Sequence, residues 1–270
     1  MVDVSASIPV VINADDFGYS EFVNRSIARS LELGRISSST IMANAPAALE
    51  ALEIAKCHPE ASFGVHLNLT EFAPLTGFDD WQRLGLLNVH GHFNGNIRQL
   101  APSPLLIRAV SQEWDAQIRF LRARGFRPSH LDSHHHVHTI GWLLPVLAWL
   151  QRRHRLPCLR NTLSIYPDTY RPSKALRVAK LLWTSCCGHL IGSRLPVVFA
   201  GIEEFWMYPD RQEFLRAPGI ELMCHPGQNG FESETAQLLR DDLPPLPKEY
   251  VLVPFAQACS TSPLHRSLFN

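Results

Sequence analysis

Four apolar, strand-like segments spread along the chain each run into an aspartate or a histidine, and this recurrence constrains the fold more than any other feature. They are Pro9-Val10-Val11-Ile12-Asn13-Ala14-Asp15-Asp16, Phe63-Gly64-Val65-His66, Pro128 to Asp132 leading into His134, and Ile220-Glu221-Leu222-Met223-Cys224-His225. Helical patterns lie between them. Ser20 suits an N-cap, Glu21 a first turn, and Val23, Ile27 and Leu31 recur at helical spacing before a stop at Gly34. Ala47 to Lys56 and Leu105 to Arg124 read as further helices, and Ile140 to Arg153 as one interrupted or started near Pro145. Ser38 to Ala43, Pro157 to Arg160 and Pro196 to Phe199 read as additional short strands. Such alternation predicts a parallel sheet covered by helices. About seven strands spread over 270 residues suit a single-domain α/β barrel covering 1–270 better than a split pair of domains. In barrels the functional groups gather at the C-terminal ends of the strands. Asp15, Asp16, His66, the His134 cluster and His225 all fall there.

The stretch His130-Leu131-Asp132-Ser133-His134-His135-His136-Val137-His138 holds five of the thirteen histidines. Neutral imidazole is the commonest protein metal ligand. If the strand continues, alternation places His134, His136 and His138 on one side. One carboxylate and two imidazoles make a facial metal site with open positions, the mark of a catalytic rather than a structural centre. A metal in such a site lowers the pKa of water and polarises a carbonyl oxygen. Asp15 and Asp16 are neighbours on an extended segment and point in different directions, so one is free to bind metal while the other serves as a base. His225 is a candidate acid or oxyanion stabiliser for amide hydrolysis. Arg160, at the end of the strand after the histidines, is placed to pair with Asp15 and keep it ionised, and reads equally well as a surface arginine.

Composition removes other function classes. Lys+Arg and Asp+Glu are equal at 25 each, which gives no basic field for a nucleic acid partner. Six cysteines without a CxxC pair fit a reducing cytoplasm rather than a disulfide framework. Met1 to Pro9 lacks the pattern of a signal peptide. Ile140 to Leu150 is too short to span a bilayer, and no integral membrane segment is expected. The apolar segment Ala175 to Ile191 carries Arg177, Lys180 and His189 and is expected to be a buried helix in preference to a membrane-surface contact. A long loop is expected over 70–104, where Trp81, His92 and Phe93 are candidates for stacking on sugar rings or for anchoring the loop. Segment 166–205 matches no motif and is expected to shape the pocket or an interface; a homodimer is left open.

Asn13-Ala14-Asp15-Asp16-Phe17-Gly18, Gly64-Val65-His66-Leu67-Asn68-Leu69-Thr70, the histidine run and Met223-Cys224-His225-Pro226 together resemble the YdjC-like carbohydrate deacetylases, which include chitooligosaccharide deacetylases and hopanoid-biosynthesis-associated relatives. The four motifs run in order from about Val10 to Gly227. The resemblance implies a distorted (β/α) barrel that binds one divalent metal ion and removes acetyl groups from N-acetylated sugars or oligosaccharides. It further implies Asp16, His66 and His134 as metal ligands, Asp15 as base and His225 as acid; if strand alternation carries through, His136 lines the same pocket without binding metal. The donor set suits zinc, manganese, iron, cobalt or nickel; the resemblance adds magnesium, and zinc or magnesium is expected. Alternatives are another metal-dependent amide hydrolase of the lactam-processing type and a non-catalytic sugar-binding protein on the same scaffold.

Overall fold

The structure is a computed structural model that describes residues 7–167, 170–190, 193 and 198–261. Residues 1–6, most of the stretch read for a signal peptide, and the expected start of a strand at Pro196 and Val197 lie outside those residues. The first half of the chain alternates as β1 (Ile8–Phe17), α1 (Glu21–Glu32), β2 (Ser38–Ile41), α2 (Ala48–Lys56) and β3 (Ser62–Leu67). There follow α3 (Phe78–Arg83), α4 (Pro104–Arg122), β4 (Leu131–Ser133), α5 (Leu144–His154) and α6 (Lys174–Ser185). The last third is β5 (Val198–Gly201), α7 (Ile202–Met207), α8 (Gln212–Leu215), β6 (Ile220–Cys224), α9 (Glu232–Leu238), β7 (Tyr250–Leu252) and α10 (Phe255–Thr261).

The strands form one parallel sheet in the order β4-β3-β2-β1-β6-β5, with β7 added against β1. Val10 faces Ile220 of β6 on one edge and Leu252 of β7 on the other. Asn13 likewise sits between Met223 of β6 and Ser38 of β2. One edge of β1 therefore carries β6, and the other carries first β7 and then β2. The gap between β4 and β5 is spanned by an irregular stave, with parallel bridges Leu131–Leu159 at one end and Ser164–Phe199 at the other. The expected strand at Pro157 to Arg160 is thus part of this stave, and the seventh strand is β7, which follows a proline-rich stretch with no strand periodicity. The result is a curled α/β sheet, a distorted barrel.

Local chemistry explains the elements that carry the site. The Ser20 hydroxyl accepts from the Val23 amide at 3.2 Å and starts α1; Val23, Ile27 and Leu31 are buried, as their spacing requires. Ser103 caps α4 in the same way. Inward positions of the strands are polar: Asn13, Asp15, Thr40, His66, Asp132 and Glu221 are all at most 2% exposed. They hydrogen-bond across the barrel instead of packing as aliphatic layers. Gly64 belongs to this layer for a steric reason. A Cβ there would lie 2.7 Å from the His130 ring, which itself stacks on Phe255 at 3.6 Å.

Of two open expectations about outlying segments, the loop aromatics resolve as anchors and the buried helix is corrected. In the 70–104 stretch Trp81 and Phe93 are buried and meet edge to face at 5.0 Å, and Glu113 of α4 accepts from the Leu75 and Thr76 amides. These aromatics hold the loop to the body, so they offer no sugar platform. Within 166–205, α6 is not a buried helix. Trp183 and Thr184 face the body, while Val178, Leu181 and Leu182 stand 55–61% exposed. Periodicity shows that a helix has an apolar face; it does not show whether another element covers it.

Candidate metal centre

All strands being parallel, the ends of β1, β3, β4 and β6 deliver Asp15 and Asp16, His66, His134 and His225 to one mouth of the barrel. These residues line a cleft of about 390 Å³ together with Tyr19, Glu71, His135, His136, Met223 and Gln228. Asp16 takes a left-handed backbone, φ 64°, at the point where the β1–β2 register shifts. That conformation is unfavourable for a non-glycine residue and is tolerated chiefly at functional positions.

Two ring nitrogens converge on one Asp16 oxygen. His66 Nε2 lies 3.1 Å and His134 Nδ1 2.8 Å from Asp16 Oδ1. Neither approach is aligned as a hydrogen bond, and Oδ1 remains a buried oxygen without a hydrogen-bond partner among the described residues. A carboxylate oxygen and two imidazole nitrogens gathered in this way suit a divalent ion between them. Neighbouring groups orient the set. Asp132 Oδ1 is 2.8 Å from His66 Nδ1, which leaves Nε2 directed at the cleft, the carboxylate–histidine pairing found behind metal-ligating histidines. Gln228 donates to Asp16 Oδ2 at 2.8 Å. Two other acid–imidazole groupings are less suited. In the group Asp15, His66 and Asp132 both carboxylates already pair with Arg160, and Glu71, His134 and His135 sit at the mouth with His135 more than half exposed.

Asp15 is a separate functional group. Arg160 donates to both of its oxygens at 2.6 Å, from Nη1 and Nη2, and Asn13 adds a third bond at 2.9 Å. Burial alone would raise the Asp15 carboxyl; the Arg160 charge and hydrogen bonds outweigh it and hold the group far below the usual carboxylate range. Arg160 also contacts Glu221 at 2.6 Å and Asp132 at 3.0 Å. It is fully buried and so serves three carboxylates at once.

The histidine run does not follow strand alternation. β4 ends at Ser133, and His134 to Thr139 form a tight helical turn in which His135 and His136 are left-handed, φ 51° and 52°. His134 reaches Asp16, whereas His136 lines the cleft away from the candidate ligand set. Burial and then the Arg160 charge push His136 down to about 3, so it is neutral. His138 turns inward to Ser133 Oγ at 2.5 Å, and His130 packs on Phe255. His225 lies across the cleft against Phe231, ring centres 4.2 Å apart. Its backbone amide donates to Glu234, while its Nδ1 has no hydrogen-bond partner among the described residues. Burial lowers its pKa against the pull of Asp15 and Asp16.

Sequence reasoning missed Asp132, Glu221, Glu71 and Gln228. For Glu221 the signal was an acid in the middle of an apolar strand, and for Asp132 an acid two residues before a candidate ligand. Glu71 and Gln228 had none.

The His66 ring bears on metal uptake. Burial opposes its charging, but Asp132 and Asp16 overcome that and raise its pKa to about 10. At neutral pH the metal-free ring is therefore an imidazolium, and a cation must expel its proton. Metal affinity is expected to rise with pH up to that value, by about tenfold per pH unit for each proton displaced. Calorimetric titration in two buffers of different ionisation enthalpy checks this; binding without proton release would contradict it.

The fold and the site define an α/β barrel enzyme scaffold with a candidate metal centre at the C-terminal mouth. The chain belongs to the YdjC-like protein family, whose family model matches residues 9–249. Among curated relatives it is similar to proteins named carbohydrate deacetylase. One from Halalkalibacterium halodurans is 33% identical over 80% of this chain and 84% of its own length. Another from Geobacillus stearothermophilus is 39% identical over 54% of this chain and 57% of its own. A crystal structure of a proposed cellobiose-phosphate cleavage protein from Enterococcus faecalis V583 superposes with a TM-score of 0.73 at 26% identity, covering 93% of this chain and 98% of that one.

Proposed function

We propose that the protein is a metal-dependent carbohydrate deacetylase that hydrolyses the acetamide of an N-acetylated amino sugar. The carrying observation is the convergence of His66 and His134 on the unpartnered Asp16 oxygen, with the ionised Asp15 beside it and His225 across the cleft. The names of the curated relatives support the carbohydrate and the deacetylation. A divalent ion held by Asp16, His66 and His134 would acidify a water and polarise the acetyl carbonyl; zinc and magnesium are the ions proposed. Asp15 takes the proton of the attacking water, and Arg160 fixes its orientation and keeps it charged beforehand. His225 gives a proton to the sugar nitrogen as the carbon–nitrogen bond breaks, because an amide leaves poorly as an anion.

His66→Ala is the direct test of the ligand set. It should abolish stoichiometric metal binding and acetate release together, while the unfolding transition remains cooperative. Full metal occupancy in that variant would remove His66 from the set. For His225, the pH–rate profile of His225→Gln at constant metal content should show sharply reduced turnover and a changed alkaline limb. An unaltered limb would take His225 out of the proton-transfer role.

A further inference from the structure

The apolar face of α6 points away from the body. Ala175, Val178, Leu181 and Leu182 lie on one side of the helix and all are exposed, the last three by 55%, 56% and 61%. The opposite side holds the helix in place: Trp183 meets the His138 ring at 5.6 Å, Thr184 donates to Asn161 at 2.8 Å, and Lys180 to Ser164 at 2.7 Å. The outward side is thus presented by a helix that is anchored elsewhere. An exposed contiguous apolar patch on a folded protein marks an interaction surface.

The charges around the patch choose the occupant. From Tyr170 to Leu190 the chain carries Arg171, Lys174, Arg177 and Lys180 and no aspartate or glutamate. Arg171, Arg177 and Lys180 also line a cleft of about 550 Å³ beside the helix, where the acid Glu213 is paired with Arg211. A second copy docked through this face about a two-fold axis would bring the same cations against each other with no acid in the segment to pair them. Apolar residues on the outer side of a helix with lysine and arginine at its flanks are what an anionic bilayer surface binds, apolar side chains entering the headgroup–acyl boundary and cations meeting the lipid phosphates. With 12 residues α6 is far too short to span, and no described helix is long and apolar enough to cross a membrane.

We propose that α6 is an interfacial helix that docks the protein on the surface of an anionic membrane. Val178, Leu181 and Leu182 insert, and Arg171, Lys174 and Arg177 contact the headgroups. On its inward side α6 packs through Trp183 on His138, a member of the turn that also carries His134 and His136.

Vesicle flotation tests this with the full chain. The protein should float with phosphatidylcholine vesicles containing phosphatidylglycerol, remain in solution with phosphatidylcholine alone, and be released by high salt. Arg171→Gln/Lys174→Gln/Arg177→Gln should lower the partition coefficient by about a hundredfold, from roughly fivefold per cation. Leu181→Ser/Leu182→Ser should also lose flotation. All five positions are exposed, so the unfolding midpoint and metal binding of both variants should match the parent. Absence of flotation with anionic vesicles would overturn the proposal. So would a dimer in sedimentation that the leucine variant converts to monomer, since that assigns the face to a second copy.

Discussion

Asp15→Asn should retain one metal equivalent and lose about 10²–10⁴-fold in acetate release, the usual contribution of a positioned general base. The expectation follows from the division between neighbouring residues. Asp16 turns to the imidazoles through its left-handed backbone, while Asp15 faces Arg160 and takes no part in the candidate ligand set of Asp16, His66 and His134. Metal content and turnover are to be measured on the same preparation. Near-parental turnover would show that another group accepts the proton, and His136, which is neutral and in the same cleft, would be the next to substitute. Loss of metal alongside activity would instead place Asp15 among the ligands.

Arg160→Met should destabilise the fold by about 3–5 kcal/mol, the range seen when one partner of a buried ion pair is removed. The reason lies in the number of acids it serves. Asp15, Asp132 and Glu221 are each at most 2% exposed and all contact this one guanidinium. Without it, buried carboxylates must either remain uncompensated or take up protons. Burial already raises Glu221 to about 7 against the pull of Arg160, and loss of the cation should push it higher. Denaturant unfolding at pH 7 measures the effect. Arg160→Lys should recover only part of it, because an ammonium cannot reproduce the fork that binds both Asp15 oxygens. A loss below about 1 kcal/mol, the range of an exposed ion pair, would mean that the interior tolerates its acids without the arginine.

The parts of this arrangement that were legible in the chain are those with local signatures. Ser20 and the Val23-Ile27-Leu31 spacing announce α1, and β1 is an apolar run that stops at two acids. Because parallel strands deliver their C-terminal ends to one rim, the Asp and His endings of four segments could be assembled without knowing the topology. Other features depend on partners distant in sequence. Tyr250–Leu252 is a strand only because the Ile8–Val10 edge of β1 is open to it. The stave over 158–165 bends across the gap between β4 and β5 and brings Arg160 to Asp15, whereas in sequence an arginine ending a short strand reads equally well as a surface residue. Alternation would put His134, His136 and His138 on one side only if the strand continued, and the left-handed turn at His135 and His136 breaks it and sends them to different surroundings. An outward apolar face on α6 has the same sequence pattern as an inward one.

The measurement closest to the central claim is acetate release from an N-acetylated chito-oligosaccharide by chelator-treated protein, followed through a titration with zinc and, separately, magnesium. The account predicts negligible release after chelation and recovery that saturates at one metal equivalent per chain, with Asp16→Asn failing to recover. Undiminished acetate release from protein shown to be metal-free would contradict it.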